Sequence, residues 1–136
     1  MADFGPGNPG SSSPESPGQG SHAPAVNVQA TITIAAPGTG LRLACNSITA
    51  MLVANTTAPA AAKVSVRLID GASGGATILW EAVLALQAVA GDRAGIALAP
   101  LFIRGSANTA MTLEFDAAGG ANTFESVAIT TEQVGA

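Results

Sequence analysis

An alternation of apolar and polar residues opens at Val26 and constrains this chain more than any other feature. Val26, Val28, Ala30, Ile32 and Ile34 interleave with Asn27, Gln29, Thr31 and Thr33. A period of two places one set on each face of an extended strand, so this segment predicts a half-buried β-strand over 26–34. The same period returns downstream. Val64, Val66 and Leu68 alternate with Lys63, Ser65 and Arg67, and Met111, Leu113 and Phe115 alternate with Thr112, Glu114 and Asp116. Leu41 to Asn55 reads as one or two strands. Ile48, Ala50 and Leu52 share one face, and Met51 and Val53 lie on the other. Apolar residues on both faces predict a central strand or one covered by a neighbouring subunit.

The punctuation between these runs is turn chemistry. Asp70-Gly71 leads into a Ser/Gly loop and then a return strand over 77–87, a hairpin signal because glycine supplies the positive φ of tight turns. Ala82 to Ala90 has helical composition. We read it as strand because it continues the hairpin and carries no helix N-cap. Ile96, Leu98, Leu101 and Ile103 make a strand pair or one strand bent at Pro100, with the proline at an edge or bulge. Phe124 to Val134 is the last strand. The total is seven to nine strands spaced 8–14 residues apart. The expected fold is all-β, a β-sandwich or jelly roll over 26–136. Periodicity does not encode strand order.

Residues 1–25 differ in kind. Five Gly, five Pro and five Ser fill 15 of the 25 positions, and Phe4 is the one large apolar side chain. Such a block buries too little surface to offset its ordering entropy, which predicts disorder in isolation and an arm that extends only over a partner surface. Composition limits the core as well. Ala supplies 29 of the 65 hydrophobic residues, so the core rests on Val, Ile and Leu with Phe102, Phe115, Phe124 and Trp80. Charged residues make up 10% of the chain, against about 25% in ordinary soluble domains. A monomer keeps its surface charged and free of apolar patches, so low charge points to a surface covered by other protein.

Charge and residue type also exclude functions. Net charge is −4, and Arg42, Lys63, Arg67, Arg93 and Arg104 are scattered. No basic patch is present for nucleic acid or an anionic membrane surface, and no apolar stretch reaches a membrane span. The first residues lack the marks of a signal peptide, so synthesis in the cytosol is expected. His22, the only histidine, lies in the low-complexity block, which argues against Ser-His-Asp or Cys-His catalysis. One Cys and one His do not make a zinc site. Cys45 reads as a buried small hydrophobe. Glu114 and Asp116, two apart on a strand, share one face. A calcium site needs six or more oxygens, so we read them as a solvated strand face. Gly71, Gly74 and Gly75 lack the Lys-Ser/Thr pair of a phosphate cradle. With no Tyr and one Trp, aromatic sugar platforms are scarce, and Trp80 falls on the expected core face. No cofactor or catalytic residue is expected.

The run Val64-Ser65-Val66-Arg67-Leu68-Ile69-Asp70-Gly71-Ala72-Ser73-Gly74-Gly75-Ala76-Thr77-Ile78-Leu79-Trp80 resembles a pattern in small virion β-sandwich proteins of tailed bacteriophages. There a strand ends in Asp-Gly, a Ser/Gly loop follows, and the next strand opens on an apolar pair. Gly105-Ser106-Ala107-Asn108-Thr109-Ala110-Met111-Thr112-Leu113 and the closing Gly119-Gly120-Ala121-Asn122 turn are similar to that family too. The resemblance implies a non-enzymatic capsid decoration (cement) protein, a homotrimer at capsid three-fold positions, bound to the major capsid protein on the virion surface. It carries over no catalytic residue. A Pro/Gly-rich arm suits docking over a neighbouring surface, with Phe4, Pro6 and Pro9 as expected capsid-binding anchors. A tail, fibre or host-recognition protein of a virion is the alternative, and a secreted sugar-binding module or a small hydrolase fits less well.

Overall fold

In a computed structural model, which describes residues 18–136, the longest run of buried apolar side chains lies along one strand, Leu41–Ala54. Nine strands are present among the described residues, and no helix. They are β1 (Gly18–His22), β2 (Thr31–Ile34), β3 (Leu41–Ala54), β4 (Ala62–Asp70), β5 (Ile78–Leu86), β6 (Arg93–Leu98), β7 (Ile103–Ala107), β8 (Met111–Phe115) and β9 (Thr123–Gly135). One sheet has the order β1-β9-β3-β6, with β7 also on β3. The other has the order β2-β8-β4-β5. All pairings are antiparallel.

The chain repeatedly leaves one sheet for the other, and the two orders interlock as a jelly roll. β1 lies over β2, and β5 packs against β3 and β6. β6 and β7 together form one edge strand. β6 pairs with Ile48 to Val53 of β3, and β7 with Arg42 to Cys45. The break between them holds Pro100, where a missing N–H costs no ladder bond. Leu101 donates its amide to the Asn46 carbonyl across the gap at 2.7 Å.

β3 is central, as its two-sided apolar pattern predicts, with β9 on one side and β6 and β7 on the other. Its inner face supplies Ile48, Ala50 and Leu52. These meet Val64, Val66 and Leu68 of β4, Met111, Leu113 and Phe115 of β8, and Val127 and Ile129 of β9. The hairpin of β4 and β5 forms as expected, and Ala82 to Leu86 is strand.

Four expectations need correction. Val26 to Ala30 is not strand. Asn27 has φ 58°, in the left-handed region that ends an extended run, and its amide bonds Thr123 O at 2.8 Å. Val26 and Val28 are exposed, and the strand starts at Thr31. Second, Gly18–His22, inside the block expected to be an extended arm, is an edge strand paired with Val127 to Thr131 of β9. Its glycines admit this close approach. A Cβ at Gly20 would lie 2.7 Å from Cγ1 of Ile32.

Third, Phe102 and Phe124 are not core. Phe102 sits in the break between β6 and β7, 57% exposed, with the Arg104 guanidinium 5.7 Å from its ring centroid. Phe124 takes an outward position in the alternation of β9. Phe115 is fully buried, and Trp80 is partly buried against the core, on the face its sequence position predicts. Fourth, Glu114 is not part of a solvated face: it is 4% exposed.

Candidate interaction surfaces

Five of the seven acidic side chains among the described residues accept from backbone amides. Glu114 lies on the outer face of β8. Its carboxylate accepts from the Thr31 hydroxyl at 3.0 Å, from the Ser73 hydroxyl, and from the Gly74 amide at 3.0 Å. The loop 71–77 is thereby folded down onto the sheet and covers Ile69. Asp116, its expected partner on one face, points elsewhere. It is exposed, accepts from the Ser65 amide at 3.1 Å, and lies 3.6 Å from Arg67. The two carboxylates do not form a joint site.

Asp70 accepts from the Ser106 amide at 3.0 Å, and Asp92 from the Gln87 amide at 2.8 Å. Each closes a gap between strand ends. Glu81 pairs with Arg67 across the outer face of the β4–β5 hairpin at 2.7 Å.

Glu125 is the acidic residue that alternation alone did not single out. It is 2% exposed, on the inner face of β9. Oε1 accepts from the Ala30 amide at 2.9 Å, and Oε2 has no hydrogen-bond partner. Burial pushes its pKa up to about 7, opposed by the Ala30 amide, reinforced by the charge of Asp116 and opposed again by the Gly119 amide. A carboxyl left half-unpaired in an apolar interior holds its proton because ionisation there is unfavourable.

Cys45 is fully buried in β3, and its thiol bonds the Ser47 carbonyl at 3.5 Å. Burial raises the thiol to about 11. His22 is ordered in β1, where Nδ1 accepts the Thr31 amide at 3.0 Å and ties β1 to β2. Phe4, Pro6 and Pro9, the expected anchors, lie outside the described residues.

Two surfaces remain open. The first is a shallow groove of about 500 Å³ on the outer face of the β1-β9-β3 sheet. Gln19, Ser21, Ser47, Thr49 and Thr130 line it without a charge, and the Ser47 and Thr130 hydroxyls bond each other at 2.6 Å. It adjoins Gly18, where residues 1–17 join the body. The second is the side of the sandwich formed by β5 and the β6–β7 edge. Ile78 and Val83 of β5, Val89 of the turn after it and Phe102 of the β6–β7 break are four of the seven exposed large hydrophobic side chains among the described residues.

No family model matches this chain, and no curated protein matches it. Among solved structures, it is similar to one described as "CBM4 structure and function". Identity is 14%, with 86% of this chain and 72% of the other covered, at a TM-score of 0.43. It is also similar to an arabinose-bound α-L-arabinofuranosidase, MgGH51. Here identity is 15% and TM-score 0.40, and the match spans 85% of this chain but 18% of the enzyme.

Proposed function

We propose that this chain is a non-catalytic structural protein of a virion, which decorates a tailed-phage capsid and stiffens it by bridging capsid subunits. One observation carries the reading. Charged side chains are few, five of the acidic ones are engaged on the body's own backbone amides, and among the described residues seven large apolar side chains are exposed. A surface of this kind suits a protein that works covered by neighbours. The jelly-roll order agrees with the reading without selecting it, because viral capsid and lectin domains both use it.

The partner in this reading is the major capsid protein, and the location is the capsid surface. The body supplies the bridging contacts. The arm, joined beside the hydroxyl-lined groove, supplies the anchor through Phe4, Pro6 and Pro9. Each bridge adds interface that must be broken before the shell ruptures, and a stable interface buries on the order of 1,200–2,000 Å². Repetition over the shell multiplies that resistance.

Deletion of residues 2–17 leaves β1 and the sandwich intact and removes the anchor. Binding of the shortened chain to undecorated capsids, followed by co-sedimentation, should weaken at least tenfold. Undiminished binding would remove the arm from the proposal. Failure of the full chain to bind capsids or to raise their rupture temperature would remove the decoration role itself.

A further inference from the structure

We infer that His22 is a proton-operated latch, which holds β1 against the second sheet while its imidazole is neutral and releases that strand when the imidazole takes up a proton. β1 is the terminal strand of its sheet and pairs with β9 alone among the described residues. Gly18, Gly20 and His22 face the second sheet. The two glycines have no side chain, and their backbone lies close against Ile32 and Ile34. His22 is therefore the one side chain that β1 places between the sheets. Its Nδ1 accepts the Thr31 amide at 3.0 Å. Among the described residues, this is the only hydrogen bond from β1 to the sheet that contains β2.

The direction of that bond makes it proton-sensitive. A backbone N–H can only donate, so Nδ1 must offer a lone pair. A proton on Nδ1 sets two donors against each other, and the bond is lost. Nothing apolar on β1 replaces it across the sandwich. The closed form needs the neutral ring, so opening increases as pH falls, and histidine is the side chain that changes charge between pH 8 and 5.

No neighbouring charge offsets the loss. On β9, Glu125 lies two residues from Val127, the partner of His22 in the ladder. Its carboxyl accepts the amide of Ala30, next in the chain to Thr31, and burial keeps it protonated below about pH 7. It is thus neutral when the imidazole is charged. Glu132, the other charged residue of β9, lies beyond the Gly18 end of the ladder. β2 has no charged residue. Behind β2, the Glu114 carboxylate is occupied by the Thr31 and Ser73 hydroxyls and the Gly74 amide. Asp116 is engaged by the Ser65 amide and Arg67. A charged His22 gains no counter-ion for the bond it gives up. β1 is also where residues 1–17 join the body, so the latch sets whether their point of attachment is fixed or free. It needs nothing from the virion reading.

The test is amide hydrogen exchange of the full chain by NMR, expressed as protection factors so that the intrinsic pH dependence of exchange cancels. From pH 8 to pH 5, the wild-type amides of β1 and Thr31 should lose about tenfold in protection, the equivalent of one hydrogen bond. Amides of β3, which open with the whole domain, should gain protection over the same range as Glu125 regains its proton. H22N sets an Oδ1 acceptor near the position of Nδ1 and cannot take up the proton, so its β1 should stay protected at pH 5. H22A has no acceptor and should show weak β1 protection at both pH values. Wild-type β1 protection that does not fall at pH 5 would overturn the latch. So would an equal fall in H22N, or an H22A as well protected as wild type at pH 8.

Discussion

Replacing Glu125 with glutamine removes a group that folding forces to stay protonated. In the native sandwich burial pushes its pKa up to about 7, against 4.5 when exposed. Below pH 4.5 both states hold the proton, and the native state bears no cost. Between 4.5 and 7 the unfolded chain releases the proton while the native chain keeps it. Stability should then fall by about 1.4 kcal/mol per pH unit. Above 7 both states are ionised, and the full cost, about 3 kcal/mol, remains. E125Q keeps an oxygen for the Ala30 amide and loses the titration. Its absolute stability also reflects a buried amide NH2, so the informative quantity is the difference from wild type at each pH. Urea unfolding of both proteins at half-unit steps from pH 5 to 8 measures it. The variant should gain roughly 2–3 kcal/mol on the wild type across that range, with most of the gain below pH 7. A difference that does not change with pH would refute the reasoning. It would mean that Glu125 is solvated or already ionised in the native state.

Two further outcomes follow from the same contacts. E114A removes the acceptor that holds the Gly74 amide and the Ser73 hydroxyl, and should cost about 1–3 kcal/mol. Hydrogen exchange should speed up in the 71–77 loop and not in β3; unchanged loop protection would show that the loop is held by other contacts. Cys45, fully buried with its thiol raised to about 11, should resist a disulfide reagent at pH 8 in the native protein and react at once in urea. Rapid native reaction would place the thiol at the surface.

Where the fold was legible in the sequence, the signal was local. The two-sided apolar pattern of Leu41 to Asn55 marked a central strand, Asp70-Gly71 marked the hairpin, and Pro100 marked the break in the β6–β7 edge. The failures came from distance along the chain. Glu114 reads as solvated by alternation, but Ser73 and Gly74, some 40 residues earlier, fold over it. Glu125 is buried against Ala30, 95 residues away. β1 carries no apolar alternation and is a strand because β9 pairs with it and its glycines fit against Ile32 and Ile34. Val26 and Val28 alternate as a strand should, yet Asn27 turns the chain first.

Capsid decoration is tested most directly by counting. Quantitative mass spectrometry of gradient-purified particles from the source lysate gives copies of this chain per major capsid protein. A ratio near one is expected for a protein that covers the shell. A handful of copies per particle would contradict capsid decoration in favour of a tail or fibre position, and absence from particles would contradict the virion role altogether.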